Sequence, residues 1–215
     1  MAQAILLREH GGPEVLRLED ISIAAPGPGE VRVRQTAIGV NFHDCYVRSG
    51  LYQTLSLPGI PGLEAAGTVE AVGDGVTGFA AGDRVAYFTS AYGGYASERL
   101  VGVDRLVKVP DGVSPEIAAS VMIKGLTALM LVKPVHPLGP GHTLLVHAAA
   151  GGVGLLLCQW ASHLGARVIG TAGSAEKAAL AKQAGCEEVI LYRDEDFVAR
   201  VAELTSGKGV NVVYD

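Results

Sequence analysis

The first half of the chain alternates apolar and polar residues over short runs. Residues 31–34 alternate valine with arginine, which is the period of a half-buried strand. Three further runs predict short strands that are bounded by glycine- and aspartate-containing turns: residues 67–72, 84–88 and 106–110. Several short strands at this turn spacing predict a small barrel or sandwich in this part of the chain.

The pattern changes at Ser114. A capping hydroxyl, a proline at the first helical position and an acid begin a helix there. Four apolar runs beyond it predict strands: residues 143–148, 167–170, 188–192 and 210–214. Helices are expected between them, at 152–164, at 174–184 and along the stripe of Phe197, Val201 and Leu204. This alternation predicts an α/β fold with a parallel sheet covered on both faces.

The predicted parallel sheet has too few strands to be complete. A doubly wound dinucleotide fold has two βαβαβ halves, whereas four strands are counted here. The run 210–214 should be an interior strand, and no helix follows to cover one of its faces. We therefore expect the sequence to be truncated within this domain, because a natural end at this point would expose apolar sheet.

Composition and charge narrow the functional classes. With 49% hydrophobic and 18% charged residues, the 215-residue chain can form one or two folded domains. A net charge of −5 and scattered basic residues argue against nucleic-acid binding. No basic leader and no uninterrupted apolar run of about 18 residues indicates secretion or a membrane span. The three cysteines lack C-x-x-C spacing, which favours a cytoplasmic protein with reduced thiols and no zinc site.

A glycine-rich segment connects one predicted strand to the next predicted helix. Ala149, Gly151 and Gly154 occupy the positions of a G-x-G-x-x-G fingerprint, with Gly152 and Val153 between them. Ala149 can serve in the first turn if its φ is negative, Gly151 lets the backbone approach a pyrophosphate, and Gly154 lets the helix pack on the strand. Because a helix N-terminus favours phosphate, the segment predicts a dinucleotide site.

The end of the second strand of this domain indicates which dinucleotide is bound. An NAD site needs an acid about 20 residues after the fingerprint, and residues 170–174 contain none. Thr171 and Gly173 are small enough to leave room for a 2′-phosphate. Ser174 can donate a hydrogen bond to it, and Lys177 lies one helical turn further on. The sequence therefore predicts NADPH rather than NADH, although Lys177 also fits a merely solvated helix position.

Seven motifs with family-like spacing run through the whole chain: residues 10–16, 41–44, 48–52, 65–67, 81–85, 124–127 and 147–154. Together they resemble the zinc-independent NADPH:quinone oxidoreductases of the zeta-crystallin type, in the medium-chain dehydrogenase/reductase superfamily. The resemblance implies a GroES-like catalytic domain at 1–118 and an incomplete Rossmann NADPH-binding domain at 119–215. It also implies a homodimer for the full-length protein and a small-molecule quinone substrate.

The resemblance also implies that no metal is bound. Zinc-dependent relatives have Cys where Asn41 stands and His where Leu63 stands, together with a four-cysteine loop that this chain lacks. Asn and Leu are poor zinc ligands. Without a Lewis acid, ordinary alcohol dehydrogenation is disfavoured. Quinones accept hydride readily, so that binding and orientation can carry much of the catalysis.

The resemblance places an active cleft between the two domains. It implies that Asn41, Tyr46 and Tyr52 lie near the nicotinamide or the substrate as catalytic residues, and that Asn41 also fixes the cofactor by hydrogen bonds. The tyrosines offer flat faces to a planar ring and hydroxyls to a developing oxyanion, although simple packing is an equal alternative for each. Three more residues are implied around the cofactor: Lys124, Thr127 and Tyr192. Leu129 and Met130 stand where relatives have paired tyrosines, which removes stacking at that position.

Two neighbours of Asn41 are weaker candidates for chemistry. His43 has no evident carboxylate partner except Asp44, and hydride transfer needs no covalent intermediate that would employ Cys45. Two alternative functions also stay open. One is an NADPH-dependent alkene or enone reductase of the same superfamily, and the other is an NADPH-binding protein without turnover. The sequence indicates neither the physiological quinone nor whether one or two electrons are transferred.

Overall fold

The computed structural model describes all 215 residues and divides them into two compact units, Met1–Ile123 and Lys124–Asp215. The units separate within one helix, Pro115–Met130. The boundary expected from the sequence, between residues 118 and 119, falls in the same helix and stays a prediction. Each unit is described separately below.

The first unit contains a two-stranded hairpin and a five-stranded antiparallel sheet. The hairpin is formed by β1 (Ala2–Leu7) and β2 (Leu16–Ile21). The order of the larger sheet is β6-β3-β4-β5-β7. Its strands are β3 (Glu30–Ile38), β4 (Glu64–Val72), β5 (Arg84–Phe88), β6 (Glu98–Gly102) and β7 (Leu106–Lys108). The predicted β-rich half of the chain is therefore confirmed.

The alternation in β3 shows why this sheet forms. Val31 and Val33 are fully buried in the core of the unit. Arg32 and Arg34 point to the opposite face, where both pair with Glu70 on the neighbouring strand. Since successive side chains of a strand face opposite ways, this pattern fixes both the register and the buried face.

A short helix that the sequence patterns did not predict follows β3. This helix, α1, runs from Phe42 to Ser49. The carboxylate of Asp44 accepts a hydrogen bond from the backbone N–H of Asn41 at 2.9 Å, which satisfies a donor just before the first turn. Gly50 ends the helix in the left-handed conformation, with a φ of 81°.

The helix α2 (Pro115–Met130) begins as predicted, with the Ser114 hydroxyl accepting from the N–H of Ile117 at 3.3 Å. It continues through a π-helical turn, Leu131–Val135. An 18-residue stretch within the combined helix Pro115–Val135 has a mean hydropathy of 1.5, and the helix is long enough to cross a membrane. That match rests on length and composition alone, and core helices of soluble proteins meet the same criterion.

The second unit contains a parallel four-stranded sheet with helices on both faces, as predicted. The order of its strands is β10-β9-β8-β11. The strands are β8 (Thr143–Val146), β9 (Arg167–Ala172), β10 (Glu188–Leu191) and β11 (Val212–Tyr214). The helices are α3 (Gly152–His163), α4 (Ala175–Gln183) and α5 (Phe197–Leu204).

Separate cores cover the two faces of the parallel sheet. On one face, α3 places Leu157 and Ala161 against Leu144 and Val168. On the other face, Val201 and Leu204 of α5 are packed against a cluster of three buried strand residues, Leu145, Ile169 and Ile190. Adjacent strand residues Leu144 and Leu145 thus belong to opposite cores, which explains the continuous apolar run in this strand. Phe197, the third residue of the predicted α5 stripe, instead makes an edge contact with the ring of His147.

Candidate functional site

The fingerprint segment forms a tight loop between β8 and α3. Ala149 is fully buried and donates its N–H to the carbonyl oxygen of Thr171 at 3.1 Å. The N–H of Gly151 bonds to the carbonyl oxygen of Ala148 at 2.7 Å. Positive φ is found at only two non-glycine residues, Ala148 at 49° and Ser206. The φ of Ala149 is therefore not positive, as the first turn of the fingerprint requires. The left-handed residue of this loop is Ala148, one position earlier.

Steric contacts explain the later glycines of this loop. A β-carbon on Gly154 would lie 2.3 Å from the carbonyl oxygen of Ala148, so α3 packs directly on the loop backbone. A β-carbon on Gly151 would lie 3.0 Å from the same oxygen. A β-carbon on Gly152 would lie 2.9 Å from the side chain of Lys124. The structure therefore places Lys124 over the fingerprint loop.

Two adjoining cavities, which we name the loop cavity and the strand-end cavity, meet at Gly151. The loop cavity has a volume of about 360 Å³. Five of the predicted cofactor residues line it: Thr127, Gly151, Gly152, Val153 and Gly154. Gly152, Val153 and Gly154 form the first turn of α3, and the free N–H groups of a helix N-terminus favour an anion.

The strand-end cavity has a volume of about 140 Å³ and lies beyond the end of β9. Five predicted cofactor residues line it: Gly151, Thr171, Gly173, Lys177 and Tyr192. A β-carbon on Gly173 would lie 2.6 Å from the hydroxyl of Tyr192, so that only glycine leaves this tyrosine in place. Together the two cavities collect most of the residues predicted to bind the cofactor.

The N-terminus of α4 adds polar groups beside the strand-end cavity. Ser174 caps this helix, and its hydroxyl oxygen accepts from the N–H of Lys177 at 3.4 Å. The hydroxyl hydrogen is left to donate elsewhere. Arg193, which the sequence reasoning missed, has its Nε 3.6 Å from the position that a β-carbon on Gly173 would take. Because Arg193 directly follows Tyr192, which was predicted to bind the cofactor, the sequence offered a signal for it.

In the first unit, Asn41 is held by a buried carboxylate. The Nδ2 of Asn41 donates to Glu64 at 2.8 Å, and the N–H of Ile123 donates to the second carboxylate oxygen at 2.7 Å. Glu64 is fully buried. A β-carbon on Gly39 would lie 2.4 Å from that side chain, so glycine gives the carboxylate its room. Glu64 was not predicted as a site residue. The contact between Gly39 and Glu64 becomes apparent only in the folded structure.

Five ring side chains in and beside α1 form what we call the aromatic cluster: Phe42, His43, Tyr46, Tyr52 and Tyr92. The ring centroids of Tyr46 and Tyr52 are 5.2 Å apart, and those of His43 and Tyr52 are 5.5 Å apart. Tyr46 and Tyr52 are 38% and 43% exposed, so neither is a core residue. Each exposed ring offers a flat face to a planar ligand, although the rings are tilted against one another.

The partner of His43 is a phenol rather than a carboxylate. Its Nε2 lies 2.8 Å from the hydroxyl oxygen of Tyr92. Asp44, the carboxylate that sequence reasoning considered, is buried and accepts from the Tyr95 hydroxyl at 2.8 Å as well as from Asn41. Burial and this hydrogen bond raise the pKa of Tyr95 well above its usual range. Tyr92 and Tyr95 were not predicted as site residues.

Asn41 and Leu63 stand at the positions of the ligand pair in zinc-dependent relatives. No three His, Cys, Asp or Glu side chains in the chain lie together as a ligand group. Leu63, at the second position of the ligand pair in zinc-dependent relatives, is buried. The amide of Asn41 is engaged by Glu64.

Comparison with known families assigns both units. Residues 27–111 match the alcohol dehydrogenase GroES-like domain, and residues 152–215 match a domain described as zinc-binding dehydrogenase. The chain is 53% identical to a quinone oxidoreductase of Pseudomonas aeruginosa over 215 residues. A mycobacterial quinone oxidoreductase structure superimposes with a TM-score of 0.88 and 51% identity, over 100% of this chain and 67% of the other. The chain belongs to the quinone oxidoreductase family.

Membership of the quinone oxidoreductase family confirms both the resemblance and the predicted fold class. The structure of the Escherichia coli quinone oxidoreductase complexed with NADPH superimposes with a TM-score of 0.95 and 49% identity, over 99% of this chain and 65% of that one. A 2-haloacrylate reductase of a Burkholderia species is 45% identical over the whole chain. The chain spans 66% of the length of these curated relatives.

Proposed function

We propose that the protein containing this chain is a zinc-free, NADPH-dependent quinone reductase. The observation that carries the proposal is the strand-end cavity, where Lys177 faces an acid-free strand end beside the fingerprint loop. NADPH, when bound, supplies a hydride. We also propose, from the family resemblance, that the full-length protein is cytoplasmic and homodimeric.

The residues present fit a phosphorylated dinucleotide. Gly151 joins the two cavities, which allows a pyrophosphate at the N-terminus of α3 to connect groups on either side. Lys177 and the nearby Arg193 supply positive charge where a 2′-phosphate would lie, and Ser174 supplies a hydroxyl. The complex of the Escherichia coli relative with NADPH supports this assignment.

The aromatic cluster fits a planar, electron-poor substrate. Tyr46 and Tyr52 meet at an interplanar angle of 62° and keep a large part of their rings exposed. A quinone ring can pack on one face while a hydroxyl donates to a carbonyl oxygen. Such a donor stabilises the negative charge that hydride transfer places on that oxygen. The names of the relatives at about 50% identity support a quinone as the acceptor.

The contacts of Asn41 support a reaction without zinc. Its Nδ2 donates to Glu64, and a neutral amide is a poor zinc ligand beside the thiolate and imidazole groups that zinc prefers. Leu63 has no ligand atom. The buried Glu64 instead fixes the orientation of the Asn41 side chain, which can then hold the cofactor by hydrogen bonds.

Binding measurements on the full-length protein test the cofactor assignment. We expect Lys177→Ala to weaken NADPH binding roughly 10- to 100-fold, because one charge-assisted contact is lost. Binding of NADH should not change. Lys182→Ala, on the same helix at an exposed position away from the cavity, is the matched control and should bind both cofactors normally. Unchanged NADPH affinity in Lys177→Ala would contradict the assignment.

A second candidate function is supported by the 2-haloacrylate reductase relative. Such an enzyme would reduce a carbon–carbon double bond with the same hydride and protonate the adjacent carbon. Turnover should be measured for three acceptors at the same NADPH concentration: 1,4-benzoquinone, an enone and 2-chloroacrylate. A preference for either alkene would overturn the quinone assignment. Tight NADPH binding with no turnover of any acceptor would favour the non-catalytic alternative.

A further inference from the structure

His43 begins a chain of three hydrogen-bonding side chains in the first unit. Its Nε2 lies 2.8 Å from the hydroxyl oxygen of Tyr92, and that oxygen lies 2.5 Å from Oγ1 of Thr54. The rings of His43 and Tyr92 are nearly parallel, with an interplanar angle of 15° and centroids 6.0 Å apart. Thr54 is exposed, whereas His43 is partly buried within the aromatic cluster. A hydrogen-bonded path therefore connects solvent with that cluster.

Quinone reduction requires a proton as well as a hydride. A quinone that has accepted a hydride carries both electrons of the broken C–H bond and a negative charge on one oxygen. It becomes a hydroquinone when that oxygen gains a proton. Neutral imidazole can give a proton from one ring nitrogen and accept one at the other, and phenol and alcohol groups can each donate and accept.

We propose that His43 delivers this proton to a quinone seated on Tyr46 and Tyr52. The proton leaves Nδ1 of His43 and forms the new O–H bond, while Nε2 takes the hydroxyl proton of Tyr92. Tyr92 is refilled from Thr54, and Thr54 is refilled from water. His43 ends as its Nε2–H tautomer, and exchange with water restores the Nδ1–H form. The inference rests on the proposed quinone reductase function.

The surroundings of His43 leave this path uninterrupted. Asp44 is turned to Asn41 and Tyr95, so its carboxylate does not compete for the imidazole. Arg99 donates to the backbone carbonyl of Tyr92 at 3.1 Å, not to the phenol. The ring of Tyr52 lies 5.5 Å from that of His43 and completes the environment of the imidazole. Under this proposal His43 is a catalytic residue, and Tyr92 and Thr54 act through it.

Kinetics of the full-length enzyme with 1,4-benzoquinone test the path. We expect His43→Gln to lower kcat roughly 100-fold, the usual effect of losing a general acid. Tyr92→Phe keeps the stacked ring and should lower kcat roughly tenfold, with a changed solvent isotope effect and unchanged NADPH binding. Thr54→Val should act in the same direction, and Thr54→Ser, which keeps the hydroxyl, should recover most of the rate that Thr54→Val loses.

A readout without turnover separates proton delivery from packing. ¹⁵N NMR of His43 should show the Nδ1–H tautomer in the wild type and a mixture of tautomers in Tyr92→Phe. A wild-type Nε2–H tautomer, or a Tyr92→Phe enzyme with wild-type kcat and isotope effect, would overturn the proposal. If the wild-type enzyme reduces no quinone, the proposed function itself fails. If the wild-type enzyme reduces quinones and the His43, Tyr92 and Thr54 variants keep the wild-type kcat, only the proposed role of His43 is rejected.

An independent observation concerns two buried cysteines in the second unit. The sulfur atoms of Cys158 on α3 and Cys186 before β10 are 3.3 Å apart, although 28 positions separate the residues in the chain. Gly185 has a φ of 107°, and its β-carbon would lie 3.3 Å from the carbonyl oxygen of Cys158, so the backbones approach closely. A β-carbon on Gly170 would lie 2.9 Å from the Cys186 sulfur, so glycine leaves space for it.

We infer that Cys158 and Cys186 form an internal disulfide when a peroxide oxidises the protein. Hydrogen peroxide converts the Cys186 thiolate to a sulfenic acid and releases hydroxide. The Cys158 thiol then attacks that sulfur, and water leaves as the S–S bond forms. The hydrogen bond between the thiols lowers the pKa of Cys186 and raises that of Cys158, which favours Cys186 as the first site of attack.

Mass spectrometry of the peroxide-treated full-length protein tests this modification. A peptide linking Cys158 to Cys186 is expected, and thiol reductant should remove it. The unfolding midpoint should rise by roughly 5–10 °C, because the bond restricts the unfolded chain. Cys186→Ala should abolish both effects, and Cys45→Ala, at a partly buried position, is the matched control that should keep them. Free thiols at 158 and 186 in protein whose Cys45 is oxidised would refute the inference.

Discussion

A β-carbon at Gly154 would stand 2.3 Å from one main-chain oxygen and 2.8 Å from another, those of Ala148 and Ala149. Main-chain atoms cannot rotate away as a flexible side chain can, so the loop or α3 must move. We expect Gly154→Ala to cost about 1–3 kcal/mol of unfolding free energy and to weaken NADPH binding at least tenfold. Urea unfolding and calorimetry measure the two effects.

Gly139 offers the matched control for that substitution. Its φ is not positive, and no heavy atom lies within 4 Å of the position of its β-carbon. Gly139→Ala should change the unfolding free energy by less than about 0.5 kcal/mol and leave NADPH binding intact. Equal effects of the two alanines would show that the Gly154 contacts do not govern the loop.

The roles of individual residues were predictable where the residues of one site lie close together in the sequence. The fingerprint glycines, Ser174 and Lys177 follow one another within two neighbouring loops, so their order along the chain reports their position in space. Glu64 and Tyr92 were missed because their partners Asn41 and His43 lie 23 and 49 residues away. A single sequence contains no signal for such pairs. Arg193 was missed although it adjoins a predicted residue.

At the scale of the element, the N-terminal cap of α5 stabilises the helix that covers one face of the parallel sheet. The carboxylate of Asp196 accepts from the N–H groups of Val198 and Ala199 at 2.9 and 3.4 Å. An eight-residue helix is marginal alone and depends on its cap and its packing. We expect Asp196→Ala to lower the unfolding free energy by about 1 kcal/mol in urea titrations.

Two further variants define that experiment. Asp196→Asn keeps a capping oxygen and should retain most of the stability. Asp194→Ala removes a nearby exposed aspartate whose side chain caps no helix, and it should match the wild type. A loss in Asp194→Ala as large as that in Asp196→Ala would point to net charge rather than to capping.

The elements themselves were largely predictable from periodicity. The parallel strands β8 to β11 were expected within a few residues, since apolar runs bounded by glycine and capping residues give both type and position. The helix α1 was not expected from periodicity. It has eight residues and buries only Asp44 and Val47, so its apolar stripe is too short to stand out. Its capping residues were the available signal.

At the scale of the whole molecule, the buried phenol of Tyr87 and the half-buried phenol of Tyr95 govern how stability responds to alkaline pH. Burial raises the pKa of Tyr87 and of Tyr95, the latter also through Asp44. Because these folded-state values exceed the unfolded value of about 10, the neutral phenols stabilise the fold fully below that pH. The contribution is lost as pH rises through the folded pKa. Unfolding free energy should therefore fall steadily above about pH 10.

The variant Tyr95→Phe checks the origin of that loss. It should start about 1 kcal/mol less stable at neutral pH, since a hydrogen bond to a buried carboxylate is removed, and then fall less steeply above about pH 10. Tyr52→Phe, at an exposed tyrosine, is the matched control and should follow the wild type. An alkaline slope that is the same in Tyr95→Phe as in wild type would reject this explanation.

The single hydroxyl at the start of α4 has a consequence for how cofactor preference can change. Ser174 caps the helix and adjoins the residues that line the strand-end cavity. Aspartate caps a helix as well as serine does, and its charge would repel a 2′-phosphate while accepting from a ribose diol. Ser174→Asp should therefore move selectivity toward NADH while the helix stays intact. At position 174, a substitution can therefore change the preference between NADPH and NADH without destabilising the fold. Evolution can exchange the two coenzymes here without an unstable intermediate sequence.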